Sequence, residues 1–166
     1  MGKTGTINLV FDTLDSALAD INALQDYNLD RLIKHYEISC QYSSVMPESI
    51  YGFSYPLSKT MFINESVRYS ERIKAHELIH CLVDDSAEPL IESSYVNNAK
   101  IESRADRGGL YLMIREWLNL TGVEPQDFNI ETFCVQSHIP RKYVFMAADV
   151  AEQALDIQIP KLKLYY

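Results

Sequence analysis

Two histidines four residues apart, with a glutamate directly after the first, constrain this chain more than any other feature. Residues 75–80 read AHELIH and place His76, Glu77 and His80 in one short stretch. On an α-helix, residues four apart lie one above the other, so both imidazoles can face a single cation. Glu77 lies about 100° further round the helix, where its carboxylate can reach a water on that cation. The segment therefore predicts a Zn²⁺ site in which Glu77 acts as general base.

The residues around the two histidines have the periodicity of an amphipathic helix. At about 100° per residue, the apolar side chains fall on one face, turned away from the histidines: Ala75, Leu78, Ile79 and Leu82. This pattern predicts a helix over residues 68–83 that buries one face in a core and turns the other toward a cleft. The alternative is an ordinary amphipathic helix with two core histidines, which would leave Glu77 between them without a purpose.

A catalytic zinc site needs a third protein ligand and one open position. Glu102 and Asp106 lie four residues apart downstream, and hence on one face of a second predicted helix. We expect Glu102 to complete a His₂Glu site and Asp106 to accept the free ring N–H of a ligating histidine. Four other carboxylates are alternatives for the third ligand: Asp84, Asp85, Glu88 and Glu92.

The order and spacing of these motifs resemble those of the ImmA/IrrE family of zinc metallopeptidases. The matching segments are YGF at 51–53, MFIN at 61–64, AHELIH at 75–80 and ESRAD at 102–106, within a resemblance that covers roughly residues 28–155. The resemblance implies a zincin-like minimal peptidase with ligands His76, His80 and Glu102. One departure is the pair Gly108 and Gly109, where the family usually carries an aromatic residue and then alanine.

The resemblance also implies a biological role for the chain. It implies an intracellular peptidase, borne by a phage or mobile element, that cleaves a helix-turn-helix repressor and so relieves repression. A second hypothesis is a binding protein that sequesters the repressor without cutting it, and the two glycines give this some weight. A third is a DNA-binding regulator that uses the C-terminal helices, with Arg141 and Lys142 at the start of the recognition helix.

Charge and composition narrow these choices. The chain has 166 residues and a formal net charge of −8, which opposes direct nucleic-acid binding and adhesion to anionic membranes. No apolar stretch approaches the length of a membrane span and no signal peptide is visible. Three widely spaced cysteines suit a reducing compartment, so we expect a cytoplasmic location.

Local patterns predict an α+β fold that is mostly helical, with a small β-hairpin. We expect a metallopeptidase core over residues 1–125 and a C-terminal helical appendage over 126–166, packed on that core. Hydrophobic periodicity and turn residues predict the following elements. Besides the helix over 68–83, helices are expected from residue 13, at 29–36, at 130–136 and at 141–155, and the helix that carries Glu102 is expected to end at about residue 118. Strands are expected at 38–42, 50–55 and 60–64, and a surface loop at 84–99.

Two functional expectations attach to these elements. The first strand of the hairpin places Gly52 between aromatic residues, which would leave room there for an extended substrate backbone. A donor is also needed for the oxyanion that forms during peptide hydrolysis, and several side chains could supply it. The candidates are Tyr51, Tyr55, Tyr69, Arg72, Arg104 and His138.

Overall fold

A computed structural model describes residues 10–86, 88–93 and 99–161 of the chain. Within these residues the protein is an α+β fold with six helices and a small mixed sheet of four strands. The helices are α1 (Leu14–Leu24), α2 (Leu29–His35), α3 (Glu71–Val83), α4 (Ala99–Thr121), α5 (Ile130–Gln136) and α6 (Val144–Leu155). The strands are β1 (Ser39–Ser43), β2 (Ile50–Tyr55), β3 (Thr60–Asn64) and β4 (Leu90–Ser93).

The sheet has the strand order β1-β3-β2-β4. Strands β2 and β3 form the predicted hairpin, joined by a 3₁₀ turn at Pro56–Ser58 and by Lys59, whose φ is 53°. Strand β1 pairs parallel to β3, and β4 pairs antiparallel to β2. The expectation of a surface loop over 84–99 is therefore wrong for residues 90–93, which form a strand; residues 94–98 lie outside the described part.

Strand β2 is an inner strand, which changes the role of Gly52. A Cβ at this position would lie 2.9 Å from the carbonyl oxygen of Phe62 and 3.0 Å from Cγ2 of Ile73. The space beside Gly52 is therefore filled by β3 and α3. The expectation that this glycine leaves room for a substrate backbone is wrong, because β3 and β4 already occupy both edges of β2.

Helix α3 lies at the centre of the fold. The predicted helix over 68–83 is confirmed, although it begins at Glu71, and every side chain from Arg72 to Val83 is buried. The expectation of one buried face and one face open to a cleft is wrong, because the polar face is covered by neighbouring elements. Its charged side chains are paired there: Arg72 Nη1 lies 3.2 Å from Asp106, and Lys74 Nζ lies 2.5 Å from Asp30.

Two glycines allow α4 to pack closely against α3. A Cβ on Gly109 would lie 3.0 Å from the backbone nitrogen of His76, and a Cβ on Gly108 would lie 2.8 Å from Cγ1 of Ile79. The departure at 108–109 therefore brings the backbones of the two helices together beside the first predicted ligand. Helix α4 continues through both glycines to Thr121, slightly beyond the predicted end near residue 118.

Helix α4 contributes to two groups of buried apolar side chains. Through Ala105 and Leu112 it joins the core around α3 and the sheet. Through Leu110, Ile114 and Leu118 it joins a second core formed with α5 and α6. The predicted helix over 141–155 is confirmed from Val144 onward, and residues 141–143 before it form a 3₁₀ turn.

The C-terminal helix α6 packs mainly through its own apolar side chains. The buried members are Ala147, Ala148, Val150, Ala151 and Leu155. In the parts of the chain described above, no helix is both long enough and apolar enough to cross a bilayer.

Candidate metal centre

Three predicted ligands converge at the centre of α3 and the start of α4. The Nε2 atoms of His76 and His80 lie 3.0 Å apart. The two oxygens of Glu102 lie 2.9 Å from Nε2 of His76 and 3.3 Å from Nε2 of His80. One donor atom from each residue lies within 4.8 Å of the others, so this buried group could hold a metal ion.

Asp106 fixes the ring of His76, the position predicted for it from the sequence. Its Oδ1 lies 2.7 Å from Nδ1 of His76. The same oxygen accepts a hydrogen bond from Nη1 of Arg72 at 3.2 Å, and the Arg72 side chain is itself buried. With Nδ1 of His76 facing a carboxylate, its Nε2 is the nitrogen left to face Glu102, as a metal ligand requires.

Asp84 has the same relation to His80. Its Oδ2 lies 2.8 Å from Nδ1 of His80, and its other oxygen pairs with Nη2 of Arg104 on α4. Asp84 is one of the alternatives for the third ligand, but its carboxylate faces Nδ1, on the side of the ring away from Glu102. Asp85 and Glu88 are exposed, and the side chain of Glu92 lies outside the described residues.

Each histidine is thus held by an aspartate that also contacts an arginine. In the first set, His76 and Arg72 come from α3 and Asp106 comes from α4; in the second, His80 and Asp84 belong to α3 and its C-cap, and Arg104 comes from α4. The two helices therefore share both sets. Carboxylate partners of this kind fix the tautomer of a histidine and strengthen it as a ligand.

The carboxylates set the charge of the protein groups in this site. Burial lowers the pKa of His80, but hydrogen bonding to Asp84 and Glu102 outweighs it and raises this pKa to about 9. Burial raises the pKa of Glu102, whereas contacts with His76 and His80 prevail and lower it to about 2. Glu102 is therefore ionised at neutral pH, and its negative charge favours a cation bound between the histidines.

Glu77 lies on the same turn of α3 as His76 and is fully buried. Its Oε1 is 3.4 Å from the place that a Cβ on Gly52 would occupy. A Cβ at position 52 would therefore be in van der Waals contact with this carboxylate. The site thus combines a predicted base with three possible metal ligands on two packed helices.

The candidates for an oxyanion donor are differently placed. Arg72 and Arg104 contact the aspartates that hold the histidines. Tyr69 stacks on His138, with ring centroids 3.5 Å apart. Tyr55 packs edge-on against Phe53 and Phe62 on the sheet, and Tyr51 precedes Gly52 on β2. These positions give no single side chain the role of donor.

The cysteines do not join the group of possible ligands among the described residues. Burial raises the pKa of the Cys81 thiol to about 12 and that of Cys134 to about 11. Cys81 follows His80 on α3 but directs its Sγ toward the carbonyl of Thr60 at 3.8 Å. All three cysteines are free thiols.

Sequence reasoning missed Asp84 and Arg104 as partners of His80. The signal for Asp84 is its position four residues after His80, the same spacing that joins the two histidines. That spacing suggested a rival ligand, because the sequence does not show which nitrogen of the ring the carboxylate faces. Arg104 had no local signal, since its contact with Asp84 depends on the packing of α4 on α3.

Comparisons with protein-family models, with curated proteins and with solved structures gave no significant match to this chain. The candidate site therefore rests on the motifs and on the geometry described above.

Proposed function

We propose that this protein is a zinc-dependent peptidase of zincin-like fold, with His76, His80 and Glu102 as metal ligands and Glu77 as general base. The observation that carries the proposal is the convergence of two Nε2 atoms and one carboxylate, 2.9–3.3 Å apart, beside a fully buried glutamate. A purely structural metal site would have no need of that glutamate.

The donor set fits Zn²⁺ in chemistry and in spacing. Two imidazoles and one carboxylate form a catalytic zinc set that leaves a fourth position for water or substrate. Tetrahedral ligands at about 2.0–2.1 Å from zinc lie roughly 3.3 Å from one another. The separations between donor atoms here, 2.9, 3.0 and 3.3 Å, approach that value. Both Nδ1 atoms face aspartates, as expected of ligating histidines.

The proposed reaction is hydrolysis of a peptide bond. Zinc, when bound, lowers the pKa of a coordinated water and polarises the carbonyl that is attacked. Glu77 accepts the proton of the attacking water and then delivers it to the nitrogen of the departing amine. Asp106 and Asp84 keep the two imidazoles in the orientation that this requires. Burial of Glu77 and both histidines strengthens these interactions, because the local dielectric is low.

The proposed substrate is a protein, and specifically a helix-turn-helix transcriptional repressor. This part rests on the resemblance to the ImmA/IrrE family, whereas the proposed cytoplasmic location rests on the three cysteines, which suit a reducing compartment. The alternative is a binder that sequesters the repressor, and Gly108 and Gly109 are the residues that favour it. In the structure α4 continues through both glycines, and they make room for α3 beside His76, so the two glycines no longer favour the binder.

The experiment that tests the proposal replaces Glu77 by glutamine. The amide would keep the shape of the side chain but could not accept the proton. We expect Glu77→Gln to retain about one zinc per chain and to lose peptide cleavage by about 10²–10⁴-fold. Zinc content is measured by atomic emission. The protein is also co-expressed with a repressor encoded by a neighbouring gene, and both cleavage of that repressor and expression from the promoter that it represses are measured.

The matched control is Glu71→Gln, the same substitution at an exposed position on the same helix. It should keep zinc, cleavage and derepression. If Glu77→Gln relieves repression fully while the repressor stays intact, the protein is a sequestering binder and the peptidase proposal is wrong. If wild-type protein cannot be loaded with zinc at all, the metal assignment is wrong as well.

A further inference from the structure

A cleft of about 360 Å³ lies beside the metal centre, between the start of α3 and the turn before α6. We name it the cationic cleft, after Arg68, Arg72 and Lys142, which line it together with Tyr51, Tyr69 and Tyr143. None of its lining side chains within the described residues is acidic. This composition is unusual in a chain whose net charge is −8. A concave surface lined by one sign of charge concentrates its potential and attracts ligands of the opposite sign.

Aromatic rings position the three cations. The guanidinium of Arg68 lies 4.8 Å from the centre of the Tyr69 ring. Arg72 and the Nζ of Lys142 lie 4.3 and 5.0 Å from the centre of the Tyr143 ring. Contacts of this length are favourable cation–π interactions. Arg68 and Lys142 are exposed, whereas Arg72 is buried and also contacts Asp106, so the exposed pair carries the charge available to a ligand.

One wall of the cleft is held in an unfavourable backbone conformation. Tyr69 and His138 stack almost in parallel, with ring centroids 3.5 Å apart and an interplanar angle of 11°. Their φ angles are 61° and 53°, in the left-handed region. A bulky residue such as tyrosine rarely adopts this conformation, and backbone strain of this kind concentrates at functional sites. The stacked pair brings the start of α3 and the turn after α5 together at the cleft.

The cationic cleft adjoins the groups assigned to catalysis. Arg72, which lines it, contacts the same oxygen of Asp106 that holds His76. Tyr51, which also lines it, directly precedes Gly52, whose Cβ position would lie 3.4 Å from Oε1 of Glu77. The cleft lining is thus linked to His76 through Arg72 and Asp106, and to Glu77 through the backbone at Gly52.

We propose that the cationic cleft is a substrate subsite that binds the carboxylate of an acidic side chain of the polypeptide. The proposal rests on the proposed peptidase function for cleavage, but the binding itself can be measured separately. Arg68 supplies a guanidinium that can contact a carboxylate through two hydrogen bonds, and Lys142 supplies a second point charge.

The binding test uses zinc-loaded Glu77→Gln protein and two probes, pentaglutamate and pentaglutamine. Amide and ring resonances of Arg68, Tyr69, His138 and Lys142 are followed by NMR. We expect pentaglutamate, and not pentaglutamine, to shift them, in a manner that weakens with added salt. Replacing Arg68 and Lys142 by alanine should raise the Kd for pentaglutamate by about five- to tenfold. Both side chains are exposed, so the fold should be retained, which near-UV circular dichroism checks.

Arg141→Ala is the matched control, because it removes one exposed positive charge directly beside Lys142 but outside the cleft lining. It should leave the Kd unchanged. Equal effects of Arg141→Ala and of the cleft variants would overturn the proposal, since binding would then depend on general surface charge. Tighter binding of inorganic phosphate than of pentaglutamate at the same resonances would also overturn it, in favour of a free-anion site.

The cleavage test uses a proteome-derived peptide library and the active, zinc-loaded protein. We expect acidic residues to be enriched at one fixed distance from the cut bond, and this enrichment to disappear when Arg68 and Lys142 are replaced. Cleavage without any acidic preference would overturn the subsite and leave the peptidase intact. Binding of pentaglutamate without any cleavage would refute the peptidase and reduce the cleft to a carboxylate-binding surface.

Discussion

Asp84 Oδ2 lies 2.8 Å from Nδ1 of His80, across the last turn of the helix that carries both predicted histidine ligands. The relation mirrors that of Asp106 and His76 on the adjoining helix, at 2.7 Å. Each aspartate also contacts an arginine of the other helix: Asp106 of α4 contacts Arg72 of α3, and Asp84 at the end of α3 contacts Arg104 of α4. The orientation of both imidazoles therefore depends on contacts between α3 and α4.

Replacing either aspartate by asparagine should weaken zinc binding without abolishing it. The amide can still accept a hydrogen bond from the ring, but the negative charge that strengthens the ligand is lost. We expect Asp84→Asn and Asp106→Asn each to weaken zinc affinity by about 10–100-fold, measured by competition with a chromophoric chelator. Asp85→Asn, an exposed neighbour, should have no effect. An unchanged affinity in Asp84→Asn would show that His80 does not rely on this contact.

Glu102 should be far more important than either aspartate for holding the metal. Glu102→Gln removes the one negative charge assigned to the metal shell, and we expect the purified protein to carry well under one zinc per chain. Glu116→Gln, about four turns along the same helix, should retain full occupancy. The zinc content of both variants is measured after dialysis. Loss of zinc from Asp84→Ala but not from Glu102→Gln would transfer the third ligand to Asp84.

The two adjacent glycines should differ in what they protect. An alanine at 109 would press its Cβ against the backbone of His76, at 3.0 Å, whereas an alanine at 108 would press against the side chains of Ile79 and Leu14. We expect both substitutions to lower the free energy of unfolding by about 1–3 kcal/mol through overpacking. Only Gly109→Ala should also weaken zinc binding. Denaturant unfolding and zinc titration test this, and equal zinc affinities would contradict it.

Gly52→Ala should affect catalysis more than metal binding. The new methyl group would lie 2.9 Å from the carbonyl oxygen of Phe62 and 3.0 Å from Cγ2 of Ile73, so β2 must shift against β3 and α3 beside Glu77, whose Oε1 it would touch at 3.4 Å. We expect zinc content to stay near one per chain while kcat falls by about tenfold or more, the scale of a misplaced general base. Ser54→Ala, two residues along the same face of β2, is the control and should keep kcat. A normal kcat in Gly52→Ala would show that the position of Glu77 does not depend on Gly52.

The metal-free protein should lose stability as the pH rises above neutrality. The pKa of His80 is raised from an ordinary 6.5 to about 9, so its pairing stabilises the fold fully below about pH 6.5 and is lost as the pH rises through 9. The pKa of Glu102 is lowered from 4.5 to about 2, so its contribution holds above about pH 4.5. Melting temperatures measured from about pH 5 to 9 should therefore fall above about 6.5 without metal. Zinc should largely remove this fall in melting temperature, because the cation replaces the proton on His80. Parallel plots of melting temperature against pH with and without zinc would contradict the assignment of His80 as a ligand.

Local patterns predicted much of the fold and of the candidate site. The bounds of the β2–β3 hairpin match the prediction, because Pro56 and Ser58 are turn-forming residues between two runs of strand-forming ones. Helix α3 starts three residues later than predicted, since Tyr69 takes a left-handed conformation to stack on His138. Strand β4 was missed because it is stabilised by pairing with β2. A four-residue segment after an acidic stretch carries no local pattern that predicts such pairing.

The same limit applies to the site. The spacing of the motif brought His76, Glu77 and His80 together on one helix, and Glu102 was placed by its own helical spacing to Asp106. The polar face of α3 was expected to be open, but α4 covers it, and hydrophobic periodicity carries no information on what a second helix will cover. The partnerships of Arg72 and Arg104 are tertiary and had no counterpart in the local sequence.

Helix α4 couples the two buried cores mechanically, because its side chains belong to both of them. Glu102 sits near its start and Leu118 near its end, so one rigid rod connects the metal centre to the C-terminal helices. Such an arrangement favours a single cooperative unfolding transition for residues on both sides of the rod. Zinc bound at one end would then protect backbone amides of α5 and α6 from hydrogen exchange, far from any atom that it touches.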